Sequence, residues 1–111
     1  MGKYREKTKG VNYMITAKQR AQLRGIANTM APVMQIGKEG ISENSLIQIN
    51  GLFESRELFK INVLKNCDAS PKELANQIEK ETNCEIVQCI GSKIVLYRKS
   101  TKKNFKHIEL V

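Results

Sequence analysis

A short loop bracketed by glycines is the stretch of this sequence best suited to bind a ligand. Gly37-Lys38-Glu39-Gly40 separates an apolar segment from Ser42, a residue type that favours the capping position of a helix. Glycines let the backbone turn with its N–H groups exposed, and a helix starting after the loop directs its positive end toward it. The pattern predicts an anion site or, equally simply, an ordinary turn. Among anions, a nucleic-acid phosphate is favoured because the loop is too short to cradle a nucleotide triphosphate.

Residues that could catalyse a reaction are scarce. The sequence has no GxxxxGK[ST], HExxH or GxSxG motif. Its one histidine, His107, lies in a charged tail where such a residue is usually solvated. Cys67, Cys84 and Cys89 have no CxxC spacing, so neither a zinc site nor a disulfide framework is expected, and at least one of Cys84 and Cys89 should fill the core. We predict a protein that is not an enzyme, without cofactor, metal or small-molecule substrate.

The charge is concentrated at the two ends of the chain. The 111 residues, enough for one domain, carry a formal net charge of +8. Residues 1–20 and 93–111 each carry +5, whereas residues 21–92 carry −2. This distribution suits a polyanionic partner, nucleic acid before membrane. With no apolar signal segment, and with unpaired cysteines that fit a reducing compartment, a cytoplasmic location is expected.

Three helices are expected from periodicity and capping signals. The first begins near Thr16 and ends before Pro32. Its apolar stripe consists of Leu23, Ile26, Ala27 and Met30. The second begins at Ser42 and fades near residues 55–56. The third is predicted from Ser70 to about residue 82, with proline at its first position and Glu73 three residues after the cap.

Four strands are expected between and after the helices, at residues 33–36, 58–64, 85–90 and 93–98. The second strand alternates, so that Lys60 should face solvent. Gly91-Ser92 joins the last two strands as a two-residue hairpin turn. The order predicts an α+β fold, a two-layer α/β arrangement of three helices and a four-stranded mixed sheet, with the helix-connected strands parallel. Residues 1–13 are expected to be a disordered basic leader, and little of a basic tail at 99–111 needs to be ordered.

Four runs of sequence together resemble a known domain. They are TAKQR at residues 16–20, VMQIGKEG at 33–40, SRELFKI at 55–61 and VQCIGSKIVLYR at 87–98. In this order they resemble the CRM domain, the chloroplast RNA splicing and ribosome maturation module, and above all its single-domain bacterial form, the YhbY family. The resemblance covers residues 14–98.

The resemblance implies an RNA-binding domain with a fold like the C-terminal domain of translation initiation factor three. It also implies a GxxG loop analogous to that of KH domains, and an association with precursors of the large ribosomal subunit. The positions that match its motif and basic residues are Gly37, Lys38, Glu39, Gly40, Lys18, Arg20, Arg56 and Lys60. Arg24 joins them because it lies away from the apolar stripe of the first helix.

The function expected from these observations is non-catalytic binding of ribosomal RNA during large-subunit assembly, through the GxxG loop and a basic helix face. The alternative is a protein-interaction module on ribosomes or pre-ribosomes with little direct RNA contact. The oligomeric state is open at this stage.

Overall fold

A four-stranded mixed sheet lies at the centre of the fold, with strand order β1-β2-β4-β3. The computed structural model describes residues 15–102 and 104–111, so the predicted leader at 1–13 lies outside the described residues. The elements are α1 Ala17–Ala27, β1 Met34–Ile36, α2 Glu43–Phe53, β2 Leu58–Val63, α3 Pro71–Thr82, β3 Glu85–Ile90 and β4 Lys93–Tyr97. Their order confirms the predicted α+β fold.

The pairing of the strands follows from their connections. β1 and β2, joined through α2, pair in parallel, as predicted. β4 pairs antiparallel to both β2 and β3, and therefore lies between them. The β3–β4 turn has Gly91 at φ 57°, the left-handed conformation that glycine adopts without strain. The hairpin is thus confirmed.

Helices cover both faces of the sheet, so the predicted two-layer arrangement is wrong and the fold has three layers. On one face, α2 and α3 pack over alternate strand residues such as Phe59, Ile61 and Leu96. On the other face, Leu23 and Ala27 of α1 form a second cluster with strand residues whose side chains point to that side of the sheet. The strand residues of this second cluster are Leu58, Val87, Val95 and Tyr97. Because neighbouring strand residues point to opposite faces, both faces of β2 and β4 are apolar near α1.

Helix α3 begins at the predicted capping box. The Ser70 hydroxyl accepts the Glu73 N–H at 3.2 Å, and the Glu73 carboxylate accepts the Ser70 N–H at 2.9 Å. These reciprocal bonds satisfy two backbone donors that the helix itself cannot pair.

Helix α1 ends earlier than its periodicity suggested. It stops at Ala27, before Met30 and well before Pro32. Met30 packs against the second cluster from the following loop, and Ile26 is 38% exposed instead of buried. The apolar face by which α1 contacts the sheet is therefore narrower than the sequence predicts.

The C-terminal tail folds back over α1, contrary to the expectation that little of it is ordered. Ile108 and Leu110 pack against the second cluster. The carboxylate of Glu57, 3% exposed, accepts the backbone N–H of Ser100 at 2.7 Å and of Ile108 at 2.9 Å. His107 Nδ1 lies 2.6 Å from the same carboxylate, so this histidine is not simply solvated. Glu57 thus fastens the tail to the start of β2.

Candidate nucleic-acid interface

The glycine loop (residues 37–40) is a tight turn between β1 and α2. The Gly40 N–H donates to the Gly37 carbonyl at 3.0 Å, which places Lys38 and Glu39 at the exposed tip. Among the described residues, none accepts a hydrogen bond from the backbone N–H groups of Lys38 or Glu39. The loop therefore presents two backbone donors and one ammonium group to the solvent.

The two glycines of the loop differ in what the fold demands of them. Gly40 has φ 67°, which favours glycine. A Cβ at Gly37 would lie 3.7 Å from Leu64 Cδ1, an ordinary contact, and the Gly37 backbone is not left-handed. Backbone conformation therefore accounts for glycine at 40, whereas neither packing nor backbone conformation accounts for glycine at 37.

Helix α2 begins directly after the loop. Ser42 is its N-cap and accepts the Ser45 N–H at 3.1 Å, as the sequence predicted. The N–H groups of Glu43 and Asn44 precede the first intrahelical bond and point toward the loop end of the helix. The helix dipole makes this end attractive to anions, although the carboxylate of Glu43 lies in the first turn and opposes that attraction.

The predicted basic residues do not form one cluster around the loop. Because β1 and β2 are parallel, the loop lies at the carboxyl end of β2, whereas Arg56 precedes the amino end. A strand of this length spans about 20 Å. Exposed Arg56 is thus at the opposite end of the sheet, and Lys60 lies between, half-buried in the middle of β2.

The basic residues of α1 point in different directions. Arg20 and Arg24, one turn apart, share a flank of the helix, while Lys18 projects from a different side. The Arg20 guanidinium donates to the backbone carbonyl of Ile86 in β3, so it ties α1 to the sheet edge. Lys18 and Arg24 are exposed.

A polar network missed by the sequence analysis lies beside Lys60. Lys93 Nζ donates to Asn62 Oδ1 at 2.9 Å and to Ser92 Oγ at 3.1 Å, and the Ser92 hydroxyl donates to Asn62 Oδ1 at 2.8 Å. The polar side of β2 was readable from its alternation. The pairing that sets Lys93 opposite Asn62 was not, because it depends on β4 entering the sheet beside β2.

The thiol groups and the groups that could bind a metal are also placed by the structure. The three cysteines are free thiols, and burial raises the pKa of the Cys84 thiol to about 12. Cys84 is a core residue, as expected for at least one of this pair. Within residues 15–102 and 104–111, no three histidine, cysteine, aspartate or glutamate side chains are grouped to hold a metal ion. In the same residues no helix is long and apolar enough to span a membrane.

A three-layer α+β domain whose glycine loop joins a parallel strand pair to a capped helix defines the class of this protein. Residues 15–98 match the family described as the CRS1 / YhbY (CRM) domain. The chain belongs to this family.

The relatives match most of the chain. It is 41% identical over 97 residues to the probable RNA-binding protein YqeI of Bacillus subtilis, covering 87% of this chain and 99% of the relative. It is 37% identical over 87 residues to an RNA-binding protein of Haemophilus influenzae, covering 78% and 87%. The solution structure of hypothetical protein SAV1595 from Staphylococcus aureus superposes with a TM-score of 0.74 at 47% identity, covering 88% of this chain and all of that one.

Proposed function

We propose that this protein binds RNA, and that its target is ribosomal RNA in precursors of the large ribosomal subunit. The names of the relatives and the membership of the CRM family support RNA as the partner. The observation that carries the proposal is the turn at residues 37–40, which leaves the Lys38 and Glu39 N–H groups exposed just before a helix N-terminus.

Backbone groups, more than side chains, supply the attraction at this loop. Phosphate is favoured at a helix N-terminus by unpaired N–H groups and by the dipole. The charge of Lys38 is offset by Glu39 beside it and by Glu43 in the first turn of α2. A bare glycine at 37 lets a sugar–phosphate backbone approach closely, as the GxxG loop of KH domains does.

The basic residues around the sheet are proposed to extend this contact along the RNA. Of the predicted basic residues on and beside β2, Lys60 lies nearer to the loop end than Arg56, and Lys18, Arg24 and Arg56 would engage other segments of a structured RNA. The Arg20 guanidinium has five donors, so it can hold Ile86 and still offer donors to a phosphate.

The test is binding of the full chain to precursor large-subunit RNA across a range of salt concentrations. Lys38→Asp should weaken binding and reduce the slope of log affinity against log salt by about 0.7–0.9 for each phosphate that the variant no longer neutralises. Lys80→Asp is the matched control, because Lys80 is exposed in the last turn of α3 and changes the net charge equally. Equal affinity and equal slope for the two variants would remove the loop from the interface.

The ribosomal part of the proposal needs a separate test. Sedimentation of cell extracts should place the protein with large-subunit precursors, and nuclease treatment should release it. Association that survives nuclease would instead favour a protein-interaction module.

A further inference from the structure

One sheet face is covered over only part of its area by residues 15–102 and 104–111. Helix α1 and the tail cover the half that carries Leu58, Val95 and Tyr97. Strand register places a second group of side chains on the same face beyond them, toward the Gly91 turn. This open sheet patch consists of Gln35, Lys60, Asn62, Gln88, Ile90 and Lys93. Ile90 is 62% exposed, so nothing in the described chain packs over the outer part of the patch.

The hydrogen bonds around Lys93 hold its ammonium group in a defined place. Asn62 and Ser92 accept two of its three donors, at 2.9 and 3.1 Å, which leaves the third for a ligand. Because the Asn62 Oδ1 atom accepts from Lys93 and Ser92, the Asn62 amide NH2 group retains two donors on the same face. Two adjacent groups therefore offer hydrogen-bond donors with little side-chain freedom left to lose on binding.

The patch carries two positively charged side chains, Lys60 and Lys93. Throughout residues 15–102 and 104–111, neither Lys60 nor Lys93 forms an ion pair with an acidic side chain. Lys60 is two positions from Asn62 on β2, diagonal to Lys93, a separation of about 7–8 Å between backbones. Consecutive phosphates along a nucleic-acid strand are spaced comparably.

We propose that the open sheet patch binds the sugar–phosphate backbone of an RNA strand, a contact additional to the glycine loop. Lys93 and Asn62 hold one phosphate, Lys60 holds a neighbouring one, and Ile90 packs against a ribose. The inference rests on the proposed function for the identity of the partner. A protein partner is less suited to the patch, because five of its six side chains are polar or charged, with exposed Val33 beside them, and the centres of protein interfaces are more apolar.

Fluorescence anisotropy of the full chain with a labelled single-stranded RNA of mixed sequence tests the proposal. Lys93→Gln should weaken binding by about three- to tenfold and lower the salt slope by the amount that one phosphate contributes. Asn62→Asp keeps the acceptor for Lys93 and Ser92 but adds a negative charge, so it should weaken binding at least as much. Lys80→Gln, an equal charge change on exposed α3, should stay within about twofold of wild type.

A second measurement needs no variant. Addition of the same RNA to isotope-labelled protein should shift the amide resonances of residues 60–62 and 90–93.

Equal binding by Lys93→Gln and Lys80→Gln, or resonance shifts confined to the glycine loop, would refute RNA binding by the patch but not RNA binding by the protein. No binding by the wild type to this RNA or to precursor large-subunit RNA would overturn the proposed function itself, and shifts with poly-glutamate but not RNA would assign the patch to an acidic protein.

Discussion

Replacing Glu57 by glutamine is expected to destabilise the fold by detaching the C-terminal tail. Ser100 N–H and His107 Nδ1 converge on Oε2 of Glu57, and Ile108 N–H binds Oε1. A glutamine amide has one acceptor oxygen, so at least one of these three donors faces an NH2 group. A hydrogen bond to a charged group contributes about 1.5–3 kcal/mol, and a buried donor left unpaired costs about 1–3 kcal/mol. The free energy of unfolding should therefore fall by about 2–4 kcal/mol.

The pH dependence of this destabilisation gives a sharper signature than its size. Burial raises the pKa of Glu57, but hydrogen bonds from Ser100, His107 and Ile108 outweigh it, and the net pKa lies below the ordinary value of 4.5. Since the folded pKa is depressed, the stabilisation is complete above about pH 4.5 and is lost as the pH falls through the folded value. The difference in the free energy of unfolding between wild type and Glu57→Gln should therefore become smaller in acid.

Urea unfolding followed by circular dichroism, near neutral pH and at about pH 3, measures both quantities. Glu81→Gln is the control, because Glu81 is exposed on α3, and it should stay within about 0.5 kcal/mol of wild type. Hydrogen exchange at the Ser100 and Ile108 amides should accelerate in Glu57→Gln. A Glu57→Gln protein that matches wild type in stability and in exchange at these amides would refute the reasoning.

Three further substitutions and one chemical modification test other parts of the fold. Gly40→Ala should lower the free energy of unfolding by about 1–2 kcal/mol because φ at this position is 67°, whereas Gly51→Ala in α2 should raise it by about 1 kcal/mol. Thermal unfolding curves of both variants that coincide with that of the wild type would contradict both expectations. Leu23 of α1 is fully buried against the sheet, so Leu23→Ala should lower the free energy of unfolding in urea by about 3–5 kcal/mol, and a decrease below about 1 kcal/mol would argue against its packing role. Iodoacetamide should modify exposed Cys89 before buried Cys84 in mass spectra, and the reverse order would contradict the structure.

Elements with local signals were predictable from the sequence. The third helix begins at Pro71 with Ser70 as its predicted cap, and the β3–β4 turn falls at the predicted Gly91-Ser92. In both places neighbouring residues determine the conformation through short-range hydrogen bonds or a backbone angle. Element order followed from such signals together with hydrophobic periodicity.

Features that depend on distant contacts were not predictable in the same way. The apolar spacing of Ile26 fits a buried helix face, yet the side chain is exposed because α1 contacts the sheet through the narrower stripe of Leu23 and Ala27. No local pattern indicates that α1 packs on the opposite face from α2 and α3. In the sequence, Glu57 resembles an ordinary surface carboxylate. Its burial depends on hydrogen bonds from tail residues that lie 43 to 51 positions further along the chain.

The candidate site also has features that were predictable from the sequence and features that were not. The glycine loop and the cap at Ser42 were readable because they are contiguous. The relation of the loop to Arg56 and Lys93 was not, since it depends on which strands pair and in which direction. The roles of all these residues in binding stay predictions.

The overall charge of +8 cannot by itself hold a phosphate at the loop end of the sheet. Screening limits an exposed charge to a range of about 8–10 Å at physiological salt. Arg56 lies about 20 Å from that end, beyond this range. In the tail, Lys102 is already 3.2 Å from the carboxylate of Glu54. Tail charges can speed the encounter with a polyanion, but a phosphate at the loop end depends on the N–H groups and the nearby lysines, among them Lys38, Lys65 and Lys93.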